Sequence, residues 1–413
     1  MKVHTKSIII SKHLVYNSYL FVKKNRGTCG IDGQSIKDFE VNLKDNLYKL
    51  WNRMSSGSYF PLPVKEVLIP KRDGSKRPLG IPTVTDRIAQ TVVKKLLEPR
   101  LERIFHKDSY GYRPNKSAHQ ALKQCRMRCW ETDWVIDLDI KGFFDNISHE
   151  LMYKALICFV EERWILLYIK RWLEAGVFSK EGLQLRESGT PQGGVISPLL
   201  ANLFLHFVFD KWIAVKYPHI KFERYADDII VHCHNRQQSE ELYSDIRRRF
   251  ESCKLMLNES KSKIVYCKDS KRTGDYPQIQ FDFLGYTFRR RFSSNKKGMY
   301  YVGFLPAPSK SSLKAIQLEI KSWKLKNKVK ARLEDIGNYI NPILRGWINY
   351  YSLFQKRELR KAFTILEYRI LKWVRSKYKR LRTKRRSGNW IKRMKARYPS
   401  LLAHWRFMYP RIG

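Results

Sequence analysis

Between Phe222 and Val231 two adjacent carboxylates, Asp227 and Asp228, sit inside an apolar, β-branched run, Phe222-Glu223-Arg224-Tyr225-Ala226 before them and Ile229-Ile230-Val231 after them. That pattern predicts a strand, a tight turn carrying the two acids, and a returning strand. Holding two like charges together at a hairpin tip is costly unless something positive neutralises them. A divalent metal does so, and Mg²⁺ prefers carboxylate oxygens. A solvated turn would also use Asp, so the two readings are separated by whether a third carboxylate exists elsewhere.

Trp134-Val135-Ile136-Asp137-Leu138-Asp139-Ile140 supplies one. Alternation places Asp137 and Asp139 on one face of a strand. Acids inside so apolar a strand suit metal binding better than a strand-end cap.

Length and charge then bound the partners. A chain of 413 residues predicts two to three domains, and 43% hydrophobic residues are enough to fold them. The net charge of +43 attracts polyanions, either nucleic acid or an anionic membrane. Membrane is the weaker choice. The most apolar run, Gly193 to Phe209, is interrupted by Ser197, Pro198, Asn202 and His206 and reads as a buried helix. The first residues show no secretory pattern. Seven cysteines scattered over the chain fit free thiols in a reducing compartment. Neither Cys125 with Cys129 nor His232-Cys233-His234 has a partner pair at zinc-site spacing.

Along the chain, residues 1–60 are expected to be mostly helical, with Val41 to Trp51 at helical spacing. Gly27 to Gly33 is a glycine-punctuated loop, either a simple turn or a close approach to phosphate. Val64 to Pro82 reads as a hairpin turning at Asp73-Gly74, its tip carrying Lys71, Arg72, Lys76 and Arg77, either a generic basic hairpin or a cationic finger suited to a triphosphate. Thr85-Asp86-Arg87 opens a helix toward Pro99. Tyr110-Gly111-Tyr112-Arg113-Pro114 is an extended turn whose aromatics beside Arg113 suit base stacking or a packed loop. Ser117 caps a helix over Ala118 to Trp130. Ser188 to Asn202 is a glycine turn in which Gln192 offers both donor and acceptor. A helix from Ser239 to Cys253 leads to a turn with Lys261 and Lys263, then a strand. Phe281 to Phe288 is a strand pair broken at Gly285. A boundary is expected at Pro306-Ala307-Pro308-Ser309. From 301 to 413 there are 29 Lys plus Arg against 5 Asp plus Glu, with helices expected at 310–325, 330–353 and 357–380. Basic residues interleaved with aromatics suit nucleic acid on one face and a core on the other.

The ordered set formed by the basic hairpin, Tyr110-Gly111-Tyr112-Arg113-Pro114, Asp139-Ile140-Lys141 with Phe144-Asp145, Thr190 to Pro198, Tyr225-Ala226-Asp227-Asp228, Leu257-Asn258 with Lys261, and Phe283-Leu284-Gly285 resembles the reverse transcriptases encoded by group II introns. Leu344-Arg345-Gly346-Trp347-Ile348-Asn349-Tyr350-Tyr351 resembles the family's maturase domain, which doubles as the polymerase thumb. The resemblance implies an α+β fold of the right-hand polymerase class: an N-terminal extension (1–60), fingers and palm with an antiparallel palm sheet (61–306), a helical thumb (307–380) and a basic DNA-binding segment (381–413).

The resemblance also assigns roles. Asp139 and Asp227 match the main metal-binding carboxylates, Asp228 the accessory one, and the Ile140 carbonyl a backbone ligand, for two Mg²⁺ ions. Phe144 matches the gate against a ribose 2′-hydroxyl. Lys71 and Arg77 match residues that pair with the triphosphate, Gln192 a glutamine beside the incoming nucleotide, and Lys261 a basic residue near the active site. Arg113, Arg345, Trp347, Lys384, Arg385 and Arg386 are the expected nucleic-acid contacts.

The implied partners are group II intron RNA, an RNA template, a DNA primer or target and dNTPs, without a membrane and with no oligomeric state indicated. The implied location is the bacterial cytoplasm at the nucleoid, or an organelle. Many family members end in a Cys-containing His-Asn-His endonuclease domain. The sequence shows none, so priming on nascent DNA is expected rather than target cleavage. Two other readings are a splicing cofactor with an inactive polymerase core and a reverse transcriptase repurposed for defence or repair. The intact acids argue against the first.

Overall fold

A computed structural model describes residues 8–70, 74, 76–294 and 297–409. The chain forms two compact units, one of Met1–Ala121 with Ile136–Lys263, the other of Leu122–Val135 with Ile264–Gly413.

The first unit begins with α1 (Lys12–Asn25), α2 (Ile36–Val41) and α3 (Leu43–Ser55). The expected helix from Val41 is broken at Asn42. Ser35 starts α2 with a capping box, its Oγ accepting from the Asp38 N–H (3.2 Å) and its own N–H donating to Asp38 Oδ2 (2.9 Å). Strands β1 (Val64–Pro70) and β2 (Lys76–Ile81) pair antiparallel, in register from Lys65↔Ile81 to Pro70↔Lys76. Lys71, Arg72 and Asp73 at their turn lie outside the described residues.

Helix α4 (Val84–Glu102) starts earlier than Thr85. Its cap is Thr83, whose Oγ1 accepts from the Asp86 N–H at 3.0 Å. Asp86 then sits in the first turn, where a carboxylate is favoured. The helix also runs past Pro99, at the loss of the hydrogen bond that an N–H there would have donated.

After α5 (Ala118–Glu131), where the Ser117 Oγ accepts from the Gln120 N–H at 3.3 Å, comes β3 (Trp134–Leu138). Helices α6 (His149–Ile157) and α7 (Arg163–Glu174) follow. Short strands β4 (Val177–Ser179) and β5 (Gly182–Gln184) extend the first hairpin into a sheet of order β2-β1-β4-β5.

Helix α8 (Ser197–Leu205), a π-helical turn (His206–Asp210) and α9 (Lys211–Lys216) form one run of 20 residues. It is longer than the apolar stretch suggests. Length and composition alone would let it cross a bilayer, but two thirds of its apolar window is buried, which makes it a core helix. Strands β6 (Lys221–Tyr225) and β7 (Asp228–Cys233) form the expected hairpin, and α10 (Arg236–Ser252) follows. With β8 (Lys263–Tyr266) they complete a sheet of order β6-β7-β3-β8. Cys125, Cys129 and Cys233 are buried thiols, and His232 Nε2 lies 2.6 Å from Glu223 Oε2.

In the second unit β9 (Gln280–Phe283), β10 (Tyr286–Ser294) and β11 (Tyr300–Pro308) form a sheet of order β11-β10-β9. Leu284 and Gly285 turn between β9 and β10 with φ of 50° and 77°, as a two-residue hairpin loop requires. The boundary expected at 306–309 is instead strand: Pro306 and Pro308 lie in β11, an edge strand that tolerates them.

Helices α11 (Lys310–Ser322), α12 (Leu333–Tyr351), α13 (Lys356–Lys377), α14 (Lys384–Arg397) and α15 (Ala403–Met408) share one core, including Ile340, Leu366, Trp373, Ile391 and Trp405. The basic segment from 381 is therefore not separate from the helices before it. Its apolar residues close the same core, and Glu367 of α13 fixes it. That carboxylate accepts from Lys395 Nζ (2.5 Å) and Trp405 Nε1 (2.8 Å) and faces His404 Nε2 at 2.7 Å.

Candidate active site

The β6–β7 hairpin has a two-residue loop, Ala226-Asp227, closed by the pair Tyr225↔Asp228. The first loop residue must turn left-handed, which usually calls for Gly. Here it is Ala226, at φ 56°. A left-handed L-residue costs about 1–2 kcal/mol, so surrounding contacts must hold it. Gly111 packs directly on this turn: a Cβ there would stand 2.4 Å from the Ala226 nitrogen. Only glycine allows that approach.

Asp139 follows β3 and is wrapped by residues 256–262. Its N–H donates to Ser262 Oγ (3.1 Å) and its carbonyl accepts from the Asn258 N–H (2.8 Å). Its carboxylate accepts from Asn258 Nδ2 (2.9 Å) and lies 3.5 Å from Lys261 Nζ. Next to it, Ile140 bridges Leu257 and the Lys141 N–H donates to the Met256 carbonyl at 2.9 Å. The loop fixes the backbone on both sides of Asp139. Asp137 is outside this group and lies 3.8 Å from Lys263 Nζ.

Electrostatics joins the two elements. Desolvation raises the Asp227 carboxyl, Asp139 raises it further, and Arg77 and Lys261 pull it down, leaving it above the ordinary value. Asp228 is pushed up to about 7, first by desolvation, then by Asp227 and Asp139, against Lys261. Asp228 is also exposed to solvent, so the site is open to an ion from outside. Three carboxylates thus repel one another with too little cationic charge beside them. A hard divalent cation with oxygen preference is what this donor set fits.

Arg77, exposed on β2, faces this cluster, and its Nε donates to Gln192 Oε1. The Gln192 carbonyl accepts from the Gly80 N–H at 2.7 Å, so the 190–194 loop lies on β2. Gly193, at φ 116°, has no room for a Cβ beside the Gly80 carbonyl (2.5 Å). Phe144 is buried against Phe143, ring centroids 5.3 Å apart, and its carbonyl accepts from the Thr190 N–H at 2.8 Å. Lys71 lies outside the described residues.

Arg113 corrects an expectation. It is buried, with Nε and Nη2 on Glu102 (Nη2 to Oε1, 2.6 Å) and Nη1 on the carbonyls of His106 (2.6 Å) and Ser109 (2.7 Å). Its donors hold the loop and are not presented to nucleic acid. The neighbouring Tyr112, at φ 55°, faces the acids instead. Burial and Asp227 push its hydroxyl up, and its ring centroid is 6.4 Å from that of Tyr225.

In the second unit Arg345, Lys384, Arg385 and Arg386 are exposed. Trp347 is half-buried, stacked on Trp323 at 5.8 Å and packed against the helical core, so its ring serves packing.

Several residues of the site lie inside stretches quoted from the sequence without having been given the roles they have here. Asn258 and Ser262 orient Asp139, and Tyr112 faces Asp227. Arg224 forms a wholly buried ion pair with Asp210 (Nε–Oδ1 2.7 Å, Nη2–Oδ2 2.5 Å) immediately before the hairpin loop. The opposite charges Glu223 and Arg224 between Phe222 and Tyr225 of β6 were the available sign of buried ion pairing.

Residues 69–288, over half of the chain, match the model of the family "Reverse transcriptase (RNA-dependent DNA polymerase)". The chain belongs to that family. Residues 313–392 of this reverse transcriptase match "Group II intron, maturase-specific domain". Protein YkfC of Escherichia coli is 32% identical over 308 residues, covering 65% of this chain and 78% of YkfC. Group II intron-encoded protein LtrA of Lactococcus lactis is 32% identical over 267 residues, 64% of this chain. The match spans 43% of LtrA, under half of its length. Among solved structures, telomerase from Candida albicans superimposes with a TM-score of 0.48 at 13% identity, covering 92% of this chain and 69% of that one. The reverse transcriptase keeps the mixed helix-and-sheet, right-hand polymerase architecture of its family. Divalent metal ions are general to that family, and group II intron maturases bind intron RNA.

Proposed function

We propose that this reverse transcriptase copies group II intron RNA into DNA from a DNA primer, and that it binds the same RNA as a splicing maturase. One observation carries the polymerase reading: Asp139 and the Asp227-Asp228 turn, from separate parts of the sequence, repel one another at one place. The maturase-specific match over 313–392 favours an intron RNA over a repurposed role, and we place its action in the bacterial nucleoid region or an organelle.

Asp139, Asp227, Asp228 and the Ile140 carbonyl would hold two Mg²⁺ ions, which when bound supply Lewis-acid activation of the primer 3′-hydroxyl and neutralise the leaving pyrophosphate. Arg77, facing the acids, attracts the triphosphate, and its bond to Gln192 fixes its direction. Lys71 belongs to the same role. Lys261 adds positive charge beside Asp139. Phe144 is held by the 188–190 loop as a gate against the 2′-hydroxyl. Arg345, Lys384, Arg385 and Arg386 bring exposed charge for nucleic-acid phosphates.

The test is extension of an oligo(dT) primer on poly(rA) with dTTP and MgCl₂. Synthesis is expected, falling by roughly 10³-fold or more in an Asp227→Ala, Asp228→Ala variant. Wild-type synthesis by that variant would remove the polymerase assignment.

A further inference from the structure

We infer that Arg224, Asn202 and Asp210 are positioning residues for Asp227, fixing the Ala226 carbonyl so that the loop bearing the metal-binding carboxylate keeps one conformation. The inference rests on the polymerase reading above.

Ala226 stands at φ 56°, a region L-residues avoid, and such a conformation persists only where neighbours over-determine it. Arg224 supplies that constraint from inside. Its Nη1 donates to the Ala226 carbonyl (3.2 Å) and to Asn202 Oδ1 (2.9 Å), while Nε and Nη2 grip Asp210 (2.7 and 2.5 Å). Asn202 on α8 reaches the other side of the loop: its Nδ2 donates to the Gly111 carbonyl at 2.7 Å. Gly111 in turn packs on the Ala226 nitrogen so closely that a Cβ there would stand only 2.4 Å away. The Arg224 backbone is tied as well, its N–H to the Asp108 carbonyl (3.0 Å) and its carbonyl to the Tyr110 N–H (2.8 Å).

Asp210 closes the π-helical turn between α8 and α9. A π turn shifts the register of a helix face, and such turns recur at functional sites. Here the shift accompanies an acid, wholly buried, that faces Arg224.

A buried ion pair is a poor device for stability alone, because well-packed apolar residues serve as well or better. What a guanidinium does that a leucine cannot is hold several acceptors at fixed angles. The acceptors here are a helix acid, a helix amide and the loop carbonyl itself. None of the three side chains bonds to Asp227, so their effect reaches it through the backbone.

The experiment uses the full chain, the primed poly(rA) assay and two variants. Asn202→Ala keeps the Arg224–Asp210 pair, and Arg224→Lys keeps a cation opposite Asp210 but cannot reach Asn202 and Ala226 together. Both are expected to lower kcat by roughly 10- to 100-fold, with KM for dTTP within about twofold and the half-saturating Mg²⁺ concentration raised about threefold or more. Template binding in EDTA is expected to stay at the wild-type level, with melting midpoints above the assay temperature. Wild-type kcat and Mg²⁺ dependence in Asn202→Ala would overturn the inference. So would a loss of activity that only tracks the folded fraction, with Mg²⁺ half-saturation unchanged. If the unmutated chain extends no primer, the polymerase reading itself fails.

Discussion

Glu367 and Asp228 are both carboxylates partly withdrawn from water, and their pKa values are shifted in opposite directions. Burial pushes each up. At Glu367 the hydrogen bonds and charges of His404 and Lys395 outweigh burial and hold it below its ordinary value. At Asp228 the nearest strong influences after desolvation are two more acids, and it is pushed up to about 7. Asp210, with Arg224 against it, behaves like Glu367: burial would raise it and the guanidinium brings it down. The difference separates two uses of an acid. A carboxylate surrounded by the chain's own donors ties elements together, whereas a set of carboxylates short of donors keeps its oxygen lone pairs for something that binds.

Removing the structural acid should have the largest effect on stability. Glu367→Ala leaves Lys395 and His404 in the core of the second unit without their partner, and breaking such a buried network costs about 3–5 kcal/mol. A helix-dominated melting curve by circular dichroism should shift down accordingly. A shift close to zero would erase the contrast with Asp228.

Metal should act on the other cluster alone. Saturating Mg²⁺ is expected to stabilise the wild-type chain by about 1–3 kcal/mol through preferential binding to the folded state. The Asp227→Ala, Asp228→Ala variant should show little of this and should be no less stable than wild type without metal, since it has lost a repulsion. Equal Mg²⁺ stabilisation of both proteins would mean that the metal binds elsewhere.

A smaller effect comes from pH. Glu367 sits below its usual 4.5, so it contributes stability present above that value and lost as pH falls through its folded value. His404 is held below its usual 6.5 by burial. The folded state therefore binds its proton less readily, and that contribution is present above 6.5 and lost on acidification. Both act in the same direction, so the melting temperature of the second unit should fall from about pH 6.5 downward. Glu367→Gln should flatten the acid end of that profile; an unchanged slope would show that the carboxylate is not the group responsible.

Where local pattern carried the information, the sequence was readable. Alternation around Asp227-Asp228 marked the hairpin, and glycine with a short gap marked the β9–β10 turn. Convergence of Asp139 with the hairpin has no local sign and came only through the order of several motifs. At the start of α4 two threonines compete, and Asp86 three residues on from Thr83 decides between them. Arg113 was misread because its aromatic neighbours suit nucleic acid. The positive φ at Tyr112 turns the chain so that Tyr112 faces the acids while Arg113 points inward. Arg224 went unread because its partner Asp210 closes an apolar helix fourteen residues earlier. From 381 onward the density of Lys and Arg masked the spacing of Ile391, Leu402 and Trp405, which belong to the helical core.

The central claim is that separate stretches of sequence hold one metal site, and iron-directed cleavage tests it most directly. With Mg²⁺ replaced by Fe²⁺, ascorbate and peroxide should cut the backbone beside both Asp139 and Asp227, and excess Mg²⁺ should suppress both cuts together. Cleavage near one acid but not the other, or cuts that persist in the Asp227→Ala, Asp228→Ala variant, would contradict the account.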